Sequence, residues 1–442
     1  MSKKKIFMWS DSPTGNTGFG KVAYNLMKNV HEEFDLEILG INYFGHERYD
    51  QNKWFIYSVD ASTDPYGHKK LPALIQRSNP DIIFLFQDIF NLDMVIPEIL
   101  KVAPTTPIIA YYPIDGSPVS TAWEGLMHSK HIKKHFIYSK FAEYEIRKTF
   151  PNLETPLEIL YHGVNFDDFH RLDDENIKDI RKTLMWQDRF VMCNVNVFQP
   201  RKFTMGTLRA GALMRYGYKE CSCGHFYLHS DAYCPLNGCG PDQVISDAAP
   251  KEDVALYMHM TTSNPRAMGP LRSNLLESHA LNAGWKNSSF QERNLFMLPP
   301  NKNLARDPFT EKDLNMVYNA ANVNITTTSG EGFGLNLVEA SACGTTTIAP
   351  YNSAIIEILA DTGHLVKNCG FFTQGMDNGH MRPVVNTGKV VKALEIEYDK
   401  WIANDKKKVI NEAAIENVKS RFRWEDKREQ LMKAFRECGI RL

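Results

Sequence analysis

The chain has 442 residues, 43% hydrophobic and 23% charged, enough for two or three domains each with its own core. Lys and Arg total 51 against 52 Asp and Glu, a formal net charge of -1, so no global field favours nucleic acid or a membrane surface. No apolar run reaches the roughly 18–20 residues of a membrane span, and the basic start MSKKKIFMWSDSPTG has too short an apolar part for a secretory signal, which predicts a cytoplasmic chain with reduced cysteines.

Lys5–Ser10 predicts a first strand, the Gly-rich stretch Ser12–Gly20 a loop, and the residues from about Lys21 to Val30 a helix. Gly15-x4-Gly20-Lys21 nearly matches a phosphate loop, but Val22 stands where that loop needs a hydroxyl for Mg²⁺. Strands at Leu36–Ile41, Asp81–Phe86, Pro107–Ile114, His135–Ser139 and Leu157–Leu160 alternate with helices near Asp93–Leu100 and over Phe141–Thr149. The alternation predicts a parallel sheet with right-handed crossovers. Such sheets bind ligands beyond the carboxyl ends of their strands, which places Tyr111–Pro118 (YYPIDGSP), with Asp115, at the binding edge. The basic run His128–His135 (HSKHIKKH) predicts a solvated helix face leading into a strand, with an acceptor-binding patch as the alternative.

Polar, acidic Leu172–Ile180 reads as a linker and the first helix of a second domain, and Phe190–Val197 as its first strand. Arg201 and Lys202 follow at the strand's carboxyl end, ahead of a helix at Met205–Met214. A planar guanidinium beside a compact ammonium suits a diphosphate. Between that helix and a strand at Val254–Met260 lies Cys221-Ser-Cys223-Gly-His225, then Cys234-Pro-Leu-Asn-Gly-Cys239-Gly, holding four of the eight cysteines. Paired cysteines next to glycine predict a tetrahedral structural Zn²⁺ on Cys221, Cys223, Cys234 and Cys239. His225 or His229 could replace one thiolate, and free thiols in an ordinary loop are the alternative. A helix at Leu271–Asn282, a strand at Asn294–Leu298, a loop at Pro299–Pro308 and a helix at Glu311–Ala320 come next.

The most informative stretch is Val323–Pro350. Val323–Thr328 is a β-branched run that predicts a buried parallel strand. Ser329–Gly334 reads as a loop, Leu335–Cys343 as a helix stopped by Gly344, and Thr345–Ala349 as the next strand. Anions collect at a helix N-terminus placed this way, and Gly332 and Gly334 let a diphosphate approach the backbone. Glu331 and Glu339 stand at the two ends of an E-x7-E spacing. Two acids beside a diphosphate need other partners, and sugar hydroxyls are the natural ones. The combination points to a nucleotide sugar. Ser353–Ala360, a strand at His364–Val366 and two helices between Thr387 and Lys419 follow, and Arg421-Phe-Arg-Trp424 predicts the start of a last helix.

Glu331-Gly-Phe-Gly-Leu335, with Glu339-Ala340 and Gly344 in register, resembles the EGFGL-x3-EA-x-A-x-G donor site of retaining GT-B glycosyltransferases (GT4, the glycosyl transferases group 1 superfamily). His162-Gly-Val-Asn165 with Phe169 is similar to the family's HGVD-x3-F segment, and Arg201-Lys202 to its R-K element. The resemblance implies an α/β GT-B fold of two Rossmann-like domains facing across a cleft. Residues 1–170 would form the acceptor-side domain, with 422–442 crossing back to it, and 171–421 the nucleotide-sugar domain. Residues 219–242 are a zinc-ribbon-like insert that the family pattern does not need.

Function and roles follow from the same resemblance. It implies sugar transfer from a UDP- or GDP-sugar to an acceptor hydroxyl with retention of anomeric configuration and without a catalytic divalent metal. Arg201 and Lys202 would hold the departing diphosphate, aided by backbone amides of Gly332, Phe333, Gly334 and Leu335. Glu331 would bind hydroxyls of the transferred sugar and Glu339 those of the ribose. Gly18, Phe19 and Gly20 would lie near the donor phosphates, and Pro299–Pro308 would hold the base. Many relatives carry a histidine where this chain has Asp115, which makes Asp115 the candidate facing the transferred sugar. Two alternatives remain: a DNA-directed enzyme acting on a hydroxymethylated base, and a non-catalytic zinc-containing binding protein on the same frame. Near-neutral charge lends the first little support, and the intact donor residues argue against the second. The acceptor class stays open among glycan, lipid-linked, protein and modified-base hydroxyls, because acceptor loops lie in the less recognisable first domain.

Overall fold

A computed structural model of the chain describes residues 3–15, 17–51, 54–235, 239–260, 274–291, 294–296, 309–375 and 377–440. They fall into two compact units. Unit 1 comprises Met1–Gly163, Gln374–His380 and Phe422–Leu442; unit 2 comprises Val164–Thr373 and Met381–Arg421. Among the described residues no helix is long and apolar enough to cross a membrane.

Unit 1 is built on eight strands: β1 (Lys4–Asp11), β2 (Phe34–Ile41), β3 (Arg48–Tyr49), β4 (Phe55–Tyr57), β5 (Ile82–Phe86), β6 (Ile108–Tyr112), β7 (Ile132–Ile137) and β8 (Leu157–Ile159). They pair in the order β3-β4-β2-β1-β5-β6-β7-β8, parallel throughout except for β3 with β4. Helices α1 (Gly18–Lys28), α2 (Leu71–Ser78), α3 (Ile89–Val102), α4 (Glu124–Met127) and α5 (Lys140–Thr149) lie between the strands in sequence. Strands β5 and β6 are buried along their whole length, which is why they read as continuous apolar runs. Strands β3 and β4 are too short to show a period in the sequence; α2, also absent from the predicted elements, does show one, with Leu71, Leu74 and Ile75 buried at helical spacing.

Two expectations are corrected in this unit. His128–His135 is not a solvated helix face: a turn leads into β7, where Lys134 and His135 are buried. Lys134 is neutralised by Glu158 at 2.8 Å and Glu437 at 2.7 Å, partners far away in sequence, so a charge run concealed a core strand. His135 accepts from or donates to Tyr112 Oη at 3.1 Å through Nδ1, and its Nε2 lies 3.3 Å from the Met127 carbonyl. The last helix begins at Lys427, not Arg421. Trp424 instead sits in the turn before it, packed so closely on Gly163 that a Cβ there would lie 2.7 Å from the indole.

Unit 2 opens with α6 (Asp174–Thr183), β9 (Phe190–Val195) and α7 (Thr204–Tyr216). An antiparallel sheet of β10 (Tyr218–Cys221), β11 (Phe226–Leu228) and β12 (Val244–Ala248) follows, ordered β11-β10-β12. The Cys-rich insert is thus built on a small three-stranded sheet. Then come β13 (Val254–His259), β14 (Leu295–Phe296), β15 (Val323–Ile325), β16 (Thr346–Pro350), β17 (His364–Val366) and a hairpin of β18 (Asn368–Phe372) with β19 (Arg382–Val385). The main sheet runs β14-β13-β9-β15-β16-β17, and all its pairs are parallel. Its order reverses at β9, with β13 on one side and β15 on the other. The loops leaving β9 and β15 therefore part around the crevice where doubly wound sheets take their ligands.

Candidate functional site

After β9 the chain makes one 3-10 turn, Pro200–Lys202, closed by Phe203 in the left-handed region (φ 43°), and enters α7 directly. This turn is sewn to the loop after β15. Ser329 N donates to Arg201 O at 2.8 Å, and Thr327 Oγ1 donates to Phe203 O at 2.8 Å. Asn194 Nδ2 on β9 donates to Ile325 O at 2.8 Å and to Thr207 Oγ1 at 3.1 Å. Strand β15 consequently stops at Ile325 rather than Thr328: the threonines that looked like strand residues use their hydroxyls to tie two loops together.

Glu331 lies where the loops meet. Its carboxylate is bonded to Lys202 Nζ and lies 3.4 Å from Arg201 Nη1, while Arg201 also donates to Gly330 O. Lys202 and Glu331 are 12% and 8% exposed at the side chain, so this is a nearly dry cluster of two cations and one carboxylate. Charges so placed attract an anion more strongly than they would in water. Glu331 N donates to Ser353 Oγ at 2.9 Å, and Asn352 Nδ2 holds Thr328 O at 3.2 Å.

Gly334 turns the chain through φ 99° into the Leu335–Ala342 helix, a conformation costly for any residue with a Cβ. That helix has no side-chain cap; Leu337 N donates to Gly334 O at 3.0 Å, which leaves the N–H groups of Leu335 and Asn336 for an anionic ligand. Phe333 is buried beside the turn. Glu339, one turn further on, is buried and accepts a 3.1 Å hydrogen bond from Tyr318 Oη. Burial first, and the neighbouring carboxylate next, raise the Tyr318 pKa well above the usual phenol value, so the group stays a donor. Lys408 Nζ donates to Tyr318 O at 2.9 Å, Asn319 O at 3.0 Å and Thr345 Oγ1 at 2.7 Å, fixing the end of the Glu311–Ala320 helix that carries the tyrosine. Burial lowers its pKa to about 7.

The structure thus brings Arg201, Lys202, Glu331 and the 332–335 turn together, with Glu339 on the helix that follows. Tyr318, Ser353, Asn352 and Lys408 were missed by sequence reasoning, since their roles depend on packing between segments far apart in the chain. Residues Pro299–Pro308, expected to hold the base, lie outside the described residues.

Gly18, Phe19, Gly20 and Asp115 belong to unit 1. The three form the first turn of α1, where Gly20 leaves no room for a side chain: a Cβ would lie 2.6 Å from Ser12 O. Thr17 caps the helix at Gly20 N (3.0 Å) and donates to Asp11 Oδ2 at 2.6 Å. Asp11, at the end of β1, also accepts from Asn42 Nδ2 at 2.9 Å and Gln87 Nε2 at 3.1 Å, a buried knot the sequence does not announce. Asp115 lies, partly buried, in the loop after β6.

The four insert cysteines are placed as a group. The Sγ atoms of Cys221, Cys223, Cys234 and Cys239 all lie within 4.8 Å of one another, the one cluster of potential metal ligands among the described residues. Neither His225 nor His229 joins it; His229 Nδ1 is 2.6 Å from Asp247 Oδ1.

No protein-family model and no curated protein matches the chain. Solved structures do, over nearly their whole lengths. Sucrose-phosphate synthase from Thermosynechococcus elongatus superposes with a TM-score of 0.67 at 14% identity, covering 98% of this chain and 99% of that one. HepE of Anabaena, in complex with UDP-glucose, gives 0.63 at 13% identity, covering 98% and 99%. The α,α-trehalose 6-phosphate synthase from Burkholderia multivorans gives 0.63 at 12% identity, covering 99% of each. The chain has the GT-B fold of these enzymes, with the Cys-rich sheet as an insert.

Proposed function

We propose that the protein transfers a sugar from a UDP- or GDP-sugar to an acceptor hydroxyl, with retention of anomeric configuration. The observation that carries this reading is the meeting of the Arg201–Lys202 turn with the Glu331–Leu335 loop at the point where the strand order of unit 2 reverses. The GT-B fold and the UDP-glucose bound by HepE support a nucleotide-sugar donor.

In this reading the donor diphosphate lies against Arg201, Lys202 and the first N–H groups of the Leu335–Ala342 helix. As the anomeric C–O bond breaks, negative charge gathers on the leaving diphosphate, and fixed cations and N–H dipoles stabilise it without reorganising. These groups supply the positive charge that a divalent ion would otherwise provide, so the transfer is metal-independent. The acceptor oxygen forms the new bond on the same face of the sugar, and its proton passes to the leaving phosphate oxygen. Glu331, freed from part of its ion pairing when the diphosphate arrives, accepts from hydroxyls of the transferred sugar; Glu339 accepts from the ribose. Gly18, Phe19, Gly20 and Asp115 are assigned to substrate binding in unit 1 on the family resemblance alone.

A panel of UDP- and GDP-sugars, scored for binding and slow release of nucleoside diphosphate, tests the reading. One donor should be bound and hydrolysed, with the sugar first released in the donor's anomeric form. No binding to any nucleotide sugar would remove the donor assignment.

A further inference from the structure

Strands β10 and β11 have two faces with different chemistry, because side chains alternate across a sheet. In the antiparallel register Tyr218 faces Leu228 and Glu220 faces Phe226. Tyr218 and Phe226 are buried in the main core of unit 2, with Leu228 packed against it. Phe226 lies so close to Gly388, on the Thr387–Ala403 helix, that a Cβ there would be 2.1 Å from its ring. Lys392 Nζ on the same helix donates to Tyr218 Oη at 2.7 Å, and Tyr218 Oη to Glu395 at 2.8 Å. One face of the insert is therefore clamped to the domain by ordinary packing.

Among the described residues the other face carries only a small cluster. Its buried residues are Cys221, Tyr227 and Cys234, with Cys239 and Val244 packed against them. A turn and a backbone pairing deliver the thiols. Cys221 N donates to His225 O at 2.9 Å and Gly224 N to Cys221 O at 2.8 Å, with Gly224 at φ +82°; Cys234 N donates to Cys239 O at 3.1 Å. None of the eight cysteines is in a disulfide, although Cys223 Sγ and Cys234 Sγ are only 3.9 Å apart. A disulfide would need about 2.05 Å between sulfurs. A tetrahedral ion with Zn–S bonds of about 2.3 Å sets sulfurs about 3.8 Å apart. The Cys223–Cys234 spacing fits the ion, not the bond, and all four sulfurs lie within 4.8 Å of one another.

We propose that these four thiolates hold one Zn²⁺, and that this ion is the core of the insert's outer face. The site is closed: four protein ligands fill a tetrahedron, so the ion serves structure rather than the transfer reaction. A zinc tetrathiolate carries two net negative charges, which outer hydrogen-bond donors stabilise. The buried Tyr227 packs in the same cluster, and its hydroxyl has no hydrogen-bond partner among the described residues. Because the inner face is clamped independently, loss of the ion should release the cysteine-bearing segments while leaving β10 and β11 docked.

The test uses the purified full-length protein. Elemental analysis should find one zinc per chain, and Co²⁺ exchanged into the site should show the absorption of a tetrahedral thiolate centre. Cys234→Ser and Cys223→Ser should each lose the metal on dialysis against a chelator, whereas Cys369→Ser, an exposed cysteine outside the cluster, should keep it. Far-ultraviolet circular dichroism of each variant separates metal loss from global unfolding. Wild-type protein that holds no stoichiometric metal and whose four thiols all react in the folded state would overturn the proposal. So would stoichiometric iron with sulfide, or a Cys223–Cys234 disulfide found by mass spectrometry.

Discussion

Replacing Lys202 with Ala separates two effects that the structure superimposes on one side chain. Lys202 Nζ is bonded to Glu331, and both side chains are largely buried. Truncation leaves the carboxylate with Arg201 at 3.4 Å and the Ser353-bound backbone as its surroundings. Removing one partner of a buried charged pair costs about 3–5 kcal/mol when the other charge is left unpaired, and Arg201 keeps this case at or below the lower end. The catalytic loss is a separate quantity. A fixed cation on a leaving diphosphate should be worth about 10²-fold or more, roughly 2.7 kcal/mol in barrier. Urea denaturation measures the first term and nucleoside diphosphate release the second. The double variant Lys202→Ala, Glu331→Gln tells them apart: removing the carboxylate's charge should recover most of the stability and none of the turnover. If Lys202→Ala turns over at the wild-type rate, or if Glu331→Gln brings no recovery of stability in the Lys202→Ala background, the account of this cluster is wrong.

Glu339→Gln should raise the apparent KM for the donor with little change in kcat, because ribose contacts exist in both ground and transition states; Glu331→Gln should act mainly on kcat, and identical signatures would mean the roles are misassigned. Gly388→Ala, normally favourable by about 1 kcal/mol inside a helix, should instead destabilise unit 2 by about 1–3 kcal/mol, because its Cβ would drive into the Phe226 ring; a raised melting temperature would contradict that packing. His135 is buried and burial lowers its pKa to about 4 from an ordinary 6.5. The unfolded chain therefore takes up a proton that the folded chain refuses, so stability is full above about pH 6.5 and is lost as pH falls toward 4, by about 3 kcal/mol at the limit. Urea titrations across that window should show the slope in wild type and a shallower one in His135→Gln.

Much of this molecule is legible in its sequence because its central strands are apolar runs bounded by Gly and by capped helices. The Glu311–Ala320 helix is found with its predicted bounds, its start fixed by a reciprocal cap between Thr310 and Asp313. The His364–Val366 strand is likewise found with its predicted bounds. The illegible parts share one physical cause: their residues are explained by partners distant in the chain. Lys134 looks like surface charge until Glu158 and Glu437 arrive beside it. Thr327 and Thr328 look like strand until their hydroxyls reach the Arg201 turn, at Phe203 O and Arg201 O. The site shows the same division. Arg201, Lys202, Glu331 and Glu339 are marked by type and spacing, whereas Tyr318, which orients Glu339, is one aromatic among eighteen tyrosines. Phe226 and Tyr218 give the insert an apolar docking face that its Gly-, Ser- and Pro-rich sequence conceals.

The central claim is that a nucleoside diphosphate binds to unit 2 through Arg201 and Lys202. Isothermal titration of UDP and of GDP into wild-type protein, and into the Arg201→Ala, Lys202→Ala double variant checked for folding by circular dichroism, tests it most directly. The account predicts saturable one-to-one binding of at least one of the two nucleotides to wild type, weakened by about 10²-fold or more in the double variant, or roughly 2.7 kcal/mol. Equal affinity in the two proteins, or no binding of either nucleotide to wild type, would contradict it.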